Sequence, residues 1–171
     1  MEFFDVVKER HSIRAYNAEP IEPEKLQQIL EAINRAPSAG NLQAYEVYLI
    51  CDANRKTALA KAAYDQEFLI QPPMVFVFCA HADRSADKYE KRGIELYCVQ
   101  DATIACTFAM LAAAALGLST VWVGAFDEDE VRRAIGGPQD HRPVAILPVG
   151  YPAESPQTRS RRSLNDIVHR V

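Results

Sequence analysis

The chain has 171 residues and a formal net charge of −4, so we expect one domain spanning residues 1–171. Hydrophobic residues make up 49% and charged residues 25%, as in an ordinary globular protein, and the acidic balance argues against nucleic-acid binding. The N-terminus lacks a signal-peptide pattern and the apolar stretch 104–118 is short for a bilayer span, so we expect a cytoplasmic protein with no membrane segment.

Helices and strands alternate in the first half of the chain. Pro23 suits the first turn of a helix that Pro37 ends, and apolar residues recur between them at helical spacing. The predicted elements, in chain order, are a short helix ending near Arg10, a helix between Pro23 and Pro37, a strand over 46–51, a helix over 55–64 and a strand over 74–80. Cys51 and Cys79 lie in the strand-like runs, where we expect reduced, buried thiols.

The second half begins with a charged, weakly patterned segment, 81–93, that we interpret as an exposed excursion. The elements predicted after it are a long helix over 94–116 capped by Gly117, a strand over 120–125, a helix over 127–135 and a strand over 144–150. The long helix is apolar on nearly every side, which indicates cover from most directions and favours a second subunit. The pattern predicts one α+β or α/β layered domain.

Two clusters of basic and hydroxyl residues stand at opposite ends of the chain. They are Arg-His-Ser-Ile-Arg at 10–14 and Arg-Ser-Arg-Arg-Ser at 159–163. Guanidinium forks and hydroxyl groups suit a phosphate, so the two clusters together favour binding of a small anion. Taken singly, the first also fits a solvated helix end and the second a solvated basic tail.

Two turns are further candidates. The turn 36–43, Ala-Pro-Ser-Ala-Gly-Asn-Leu-Gln, offers side-chain amides that suit a flat heteroaromatic ring. The junction 122–127, Trp-Val-Gly-Ala-Phe-Asp, has small residues that let the backbone approach a ligand near a helix start. Each also fits an ordinary turn or strand-helix junction. Neither the Gly-x-Gly-x-x-Gly nor the P-loop pattern occurs, which argues against a Rossmann site or a nucleotide triphosphatase.

The order of these four features along the chain resembles that of the nitroreductase family of FMN-dependent flavoproteins. Gln66 before Pro72-Pro73, and Asp101 in the Ala-rich helix that leads to Gly117, add to the likeness. The resemblance implies an α+β nitroreductase-like fold with a mixed central sheet flanked by helices. It also implies a domain-swapped-style homodimer with FMN at the interface and NAD(P)H as the reductant.

Carried over by position, the resemblance implies roles for individual residues. The implied cofactor-binding residues are Arg10, His11, Ser12, Arg14, Pro37, Ser38, Ala39, Asn41, Gln43, Gly124, Ala125, Arg159 and Arg161. The two terminal clusters would hold the phosphate and ribityl chain, and Arg14 would lie near the pyrimidine edge of the ring. The turn 37–43 would come from the partner subunit, and the amides of Gly124 and Ala125 would face flavin N5. No catalytic side chain and no metal are implied.

The function implied is hydride transfer from NAD(P)H through the flavin to a nitroaromatic, a quinone or a similar small acceptor, in a ping-pong cycle. Two alternatives stay open: a flavin-dependent dehalogenase or flavin-fragmenting enzyme of the same superfamily, and a non-catalytic FMN-binding protein. The chain departs from many relatives at Ala44-Tyr45, where they have Pro-Trp, and at Cys106-Thr107, where they have Gln-Asn. These departures bear on the substrate more than on FMN.

Overall fold

The computed structural model describes residues 2–171; Met1, the first residue of the predicted domain, lies outside them. Its helices are α1 (Phe3–Glu9), α2 (Pro23–Asn34), α3 (Ala53–Ala62), α4 (Ala82–Arg92), α5 (Cys98–Ala115), α6 (Glu128–Ile135) and α7 (Leu164–Ile167). Its strands are β1 (Tyr45–Ile50), β2 (Met74–His81), β3 (Ser119–Thr120) and β4 (His141–Gly150). Short 3-10 turns at Ala39–Asn41 and Glu67–Leu69, and a π-type turn at Gly93–Tyr97, join neighbouring elements.

The four strands form one sheet in the order β1-β2-β4-β3, and its three strand pairs are all antiparallel. One isolated parallel bridge, between Ser12 and Thr120, lies outside these strands and joins the N-terminal segment to β3. Helices cover both faces of the sheet, and the predicted α+β class is confirmed.

The core consists of two apolar layers separated by β2, whose side chains alternate between them. Phe76 and Phe78 face α2 and α5, whereas Val75 and Val77 face α3 and α6. All four are fully buried, and burial of each such side chain contributes about 1.5–3 kcal/mol. The sheet is thereby fixed as a rigid platform between the two helix layers.

The segment after α1 runs extended along the sheet and brings the two ends of the chain together. Ile13 donates its N–H to the Thr120 carbonyl at 3.1 Å, and Ala153 donates to the Ala15 carbonyl at 2.8 Å. Tyr16 is buried between them and donates its hydroxyl to the Ile13 carbonyl at 2.6 Å; its burial raises the pKa of the phenol far above the usual range. Residues 10–14 therefore lie beside the segment that follows β4.

The segment 81–93 is mostly exposed, as interpreted, but it is helical where the sequence showed only a weak pattern. The segment forms α4, which buries Ser85 against Gly93. A Cβ atom on Gly93 would stand 2.5 Å from the Ser85 carbonyl oxygen, so the close approach depends on glycine. Ser85 is the one buried residue of α4. Most of the other residues are charged, so the sequence shows no apolar pattern that would reveal the helix.

Two other expectations need correction. The strand predicted over 120–125 ends at Thr120, because beyond it only Val123 bonds to β4, in an isolated bridge with Ile146. Cys51 is exposed rather than buried, because it lies past the end of β1, next to Asp52, which caps α3. Cys79, Cys98 and Cys106 are buried, and all four thiols are free.

Helix α5 is the most apolar element, and Gly117 ends it in the left-handed conformation (φ 77°) as predicted. One face of α5, with Ala102, Ala105 and Ala109, is buried under the sheet, whereas Ile104 and Phe108 on the other face are only partly buried. The helical run Ala82–Ala115 is long and apolar enough to cross a membrane by length and composition alone. Within this run, α5 packs against α2 and the sheet, as a core helix does.

Candidate functional site

The two terminal clusters meet in one cavity of about 430 Å³. The residues that line this cavity, here called the terminal cavity, are Arg10, His11, Ser12, Arg14, Glu154, Ser155, Gln157, Arg159 and Arg161. Guanidinium groups from positions nearly 150 residues apart thus face the same space. They are brought there by the pairing of residues 12–17 with β3 and with the segment after β4.

The terminal cavity carries excess positive charge. Among residues 2–171, no carboxylate lies within salt-bridge distance of the guanidinium groups of Arg10, Arg14, Arg159 or Arg161. The carboxylate of Glu154 accepts from the backbone N–H of Arg14 at 2.5 Å. Four cationic forks in one concave surface favour a multivalent anion such as a phosphate group.

Local structure sets the direction of the first cluster. Helix α1 ends at Glu9, and Arg10 takes an extended conformation (φ −66°, ψ 117°). The imidazole Nδ1 of His11 lies 2.7 Å from the Glu9 carbonyl oxygen, which holds this ring across the end of α1. The basic residues consequently point away from the helix and toward the C-terminal segment.

The turn 37–43 lies elsewhere in the chain, next to α5. With residues of α5 and the preceding π-type turn, Pro37, Ser38 and Ala39 line a second cavity of about 480 Å³. The two cavities share no lining residue. One chain therefore assembles the candidate site as two separate halves, and the half formed by the turn is called the loop cavity below.

Asp101 of α5 fixes the conformation of this turn from beneath. Its buried carboxylate accepts from the N–H of Ala39 at 2.9 Å and from that of Ala44 at 3.3 Å. Above it, the Ser38 hydroxyl accepts from the Gln43 N–H at 3.0 Å. The turn is thus tied at both ends to one charged acceptor in the core.

The backbone of the turn has positive φ at one glycine and at two residues that carry side chains. Gly40, Asn41 and Gln43 have φ values of 57°, 58° and 49°. Positive φ is unfavourable for non-glycine residues and tends to occur where function over-determines the backbone. Asn41 and Gln43 line neither cavity, and the Gln43 side-chain amide donates to the backbone and side-chain oxygens of Asn34 at 3.4 and 3.2 Å.

Gly124 and Ala125 lie outside both cavities, on the exposed junction before α6. The Ala125 carbonyl accepts from the Gln66 side chain at 3.2 Å, and Asp127 caps α6 by accepting from the Glu130 N–H at 2.9 Å. No backbone carbonyl of residues 2–171 accepts from the N–H groups of Gly124 and Ala125. Both amides are available to an external acceptor.

Sequence reasoning missed three members of the terminal cavity: Glu154, Ser155 and Gln157. It also noted Asp101 only as a point of likeness and gave it no role. A signal was present for Asp101, since an acidic residue within an apolar helix must have partners when it is buried. No local pattern singles out the other three, which depend on the path of the C-terminal segment.

Comparison with known proteins identifies relatives of this chain. The nitroreductase family model matches residues 7–67 and 55–151. An FMN reductase (NAD(P)H) of Bacillus subtilis is 32% identical over 94% of this chain and 70% of its own length. An NADH dehydrogenase of Thermus thermophilus is 31% identical over 93% of this chain and 91% of its own length.

A solved structure agrees with both matches. That of the hypothetical oxidoreductase YcnD from Bacillus subtilis superimposes with a TM-score of 0.90 at 30% identity, covering 99% of this chain and 74% of that one. Sequence and fold lead to the same conclusion. The chain belongs to the nitroreductase family.

Proposed function

We propose that this protein is an NAD(P)H-dependent FMN oxidoreductase whose residues 1–171 form one FMN-binding domain and whose acceptor is a nitroaromatic, a quinone or a similar small molecule. Membership of the nitroreductase family and the FMN reductase among its relatives support the redox activity. The observation that carries the proposal is the convergence of four guanidinium groups without carboxylate partners on the terminal cavity.

The terminal cavity fits the phosphate and ribityl chain of FMN. Arg10, Arg159 and Arg161 supply cationic donors, and Ser12 and His11 add further donors beside them. The volume of about 430 Å³ suits this portion of the ligand. The charge and the donor set both match a phosphomonoester.

The remaining residues would surround the flavin ring. Arg14 would place a positive charge near the pyrimidine edge, and the exposed amides of Gly124 and Ala125 would face N5. Side chains of the turn, Asn41 and Gln43 among them, would hydrogen-bond to the ring and cover it. Bound there, FMN would supply the redox chemistry, namely hydride acceptance from NADH or NADPH and electron transfer to the acceptor in a ping-pong cycle.

The protein's own contribution is position, charge and exclusion of water, with no side chain needed as a general acid or base. The nicotinamide and the acceptor would use the same surface in turn. The strained turn and the helix-start amides are preorganised by the fold, so their orientation adds little reorganisation energy.

A homodimer would unite the two half-sites. The terminal cavity and the loop cavity are separate within one chain, so the turn that covers a flavin would come from the partner. Apolar surface supports this arrangement. Phe3 and Phe4 of α1 are 62% and 82% exposed, and Leu164 of α7 is 73% exposed; in a homodimer this surface would lie at the interface.

The decisive experiment is anaerobic reduction of the purified, yellow protein. Loss of the 450 nm flavin band on addition of NADH or NADPH, and its recovery on addition of a quinone or a nitroaromatic, would support the proposal. A yellow protein that does not bleach with either nicotinamide would instead be a non-catalytic FMN-binding protein. Halide release or flavin breakdown would favour the dehalogenase or flavin-fragmenting alternative.

The variant Arg10→Ala tests the terminal cavity directly. Loss of one charged contact to a phosphate weakens binding by about 1.5–3 kcal/mol, or about 10- to 150-fold in the FMN dissociation constant. The measurement is flavin content and fluorescence titration. Arg170→Ala removes the same charge outside the cavity and should retain wild-type affinity. Equal affinity of Arg10→Ala and the control would show that the cluster is only a charged helix end.

A further inference from the structure

A cluster of metal-ligating side chains stands on the sheet, away from both cavities. Three strands contribute one residue each: Glu46 from β1, His81 from β2 and His141 from β4. His81 and His141 are directly opposite one another in the ladder, with ring centroids 4.8 Å apart. The potential ligand atoms all lie within 4.8 Å of one another, and all three residues are half-buried.

Neighbouring polar groups orient both imidazoles. The Nδ1 atom of His81 lies 3.0 Å from the Glu46 carboxylate, and its Nε2 atom lies 3.3 Å from the Asp140 carboxylate. The Nδ1 atom of His141 lies 2.6 Å from the Tyr48 hydroxyl. When Nδ1–H donates to Tyr48, Nε2 of His141 keeps its lone pair free, which is the tautomer that binds metal.

We propose that Glu46, His81 and His141 bind a divalent transition-metal ion such as Zn²⁺. Two imidazole nitrogens and one carboxylate oxygen form a recognised ligand set for zinc, with the fourth position left to water. Asp140 would hold Nε2–H of His81, and Tyr48 would hold Nδ1–H of His141. These are the carboxylate-imidazole and hydroxyl-imidazole contacts that orient metal ligands.

The geometry requires only a small contraction. Bonds of 2.0–2.1 Å in a tetrahedron separate ligand atoms by roughly 3.3 Å, and the Glu46-His81 pair is already at 3.0 Å. The longer separations within the 4.8 Å limit close by rotation of half-buried side chains. Arg84, whose guanidinium lies 3.6 Å from Glu46 and is half exposed, is the competing cation that an ion would displace.

The ion would cross-link three strands next to the start of α4. His81 is the residue immediately before α4, and Lys88 and Tyr89 of that helix lie against Gly40 in the turn. Metal binding would therefore stabilise this end of the three strands and the helix that packs against Gly40 of the turn. This site is independent of FMN, because none of its ligands lines either cavity.

The test uses the full-length protein with its natural flavin content, freed of metal with a chelator and titrated with Co²⁺ while difference spectra are recorded. We expect one Co²⁺ per chain with d–d absorption between 500 and 650 nm, on the order of that seen for four- or five-coordinate nitrogen and oxygen sites, and displacement by Zn²⁺. His81→Ala and His141→Ala should abolish this saturable binding. The control His169→Ala, in the exposed C-terminal tail, should bind as the wild type does.

Variants that change only the groups orienting the ligands test the site without removing a ligand, so that weaker metal binding cannot be ascribed to misfolding. Asp140→Asn and Tyr48→Phe keep all three ligands and should weaken Co²⁺ binding by about 10- to 100-fold, with circular dichroism unchanged. The proposal is overturned if the wild type binds no Co²⁺ or Zn²⁺ saturably. It is equally overturned if His81→Ala or His141→Ala is folded by circular dichroism and binds Co²⁺ as well as His169→Ala does. A cobalt spectrum dominated by thiolate charge transfer would also overturn it, because the ion would then be bound by Cys51.

Discussion

Replacing Asp101 by asparagine should loosen the turn 37–43 and lower the stability of the protein. The side chain is only 2% exposed and accepts from two backbone N–H groups, those of Ala39 at 2.9 Å and Ala44 at 3.3 Å. An asparagine can accept from one of them but turns its own NH₂ donor toward the other. Ala44 is fully buried, so water cannot replace the lost acceptor there. Loss of one charge-assisted bond with an unpaired buried donor costs about 2 kcal/mol.

The assay is urea unfolding followed by circular dichroism, with and without added FMN, at one fixed protein concentration because a dimer would make stability concentration-dependent. Asp87→Asn is the matched control, since Asp87 is exposed on α4 and its change should stay within about 0.5 kcal/mol. We also expect Asp101→Asn to bind FMN more weakly than the control. If its unfolding free energy equals that of Asp87→Asn, the carboxylate does not hold the turn and the reasoning is refuted.

Three further predictions concern thiols and the turn. Burial raises the pKa of Cys79 to about 12, whereas Cys51 is exposed, so at pH 8 a thiol reagent should label one cysteine per native chain and four per unfolded chain. Gly40→Ala should destabilise the fold by about 1 kcal/mol in urea unfolding, because φ is 57° and the new Cβ would meet two side chains of α4 at 2.6 Å. The control is Gly117→Ala, where φ is 77° but no atom lies near the new Cβ, so its destabilisation measures the strain of positive φ alone. Asn41→Ala should lower flavin retention, and mixed dimers of variant and wild-type chains should keep half of their sites; full retention in the pure variant would contradict a role for this turn.

Helices and strands whose boundary residues and apolar spacing both lie within the segment could be predicted from the sequence. Helix α2 has Pro23 in its first turn and buries Ile29 and Ile33, and β2 up to Ala80 is an unbroken apolar run that is buried on both faces. In such segments the same residues set the local conformation and the packing. The family likeness was equally accessible, because it depended on the order of short motifs and needed no contacts.

Features that depend on strand register or on one buried contact could not be predicted. Helix α4 contains mainly charged residues, and its packing depends on Ser85 meeting Gly93. The cluster of Glu46, His81 and His141 exists because three strands pair in one particular register, and the spacing of these residues in the sequence does not predict it. Shifting one strand by a single residue would move its side chain to the opposite face.

The arrangement of α5 connects the fold to the proposed dimer. Its buried face packs under the sheet and also supplies Asp101, which anchors the turn, while its other face, with Ile104 lining the loop cavity, is only partly covered. A partner packed on that face would bury apolar surface and bring its own terminal cavity close to the turn. In this arrangement flavin binding and dimer formation stabilise each other, because each completes a surface that one chain leaves unfinished. Loss of FMN should therefore increase dissociation, which sedimentation velocity of FMN-loaded and FMN-depleted protein would detect.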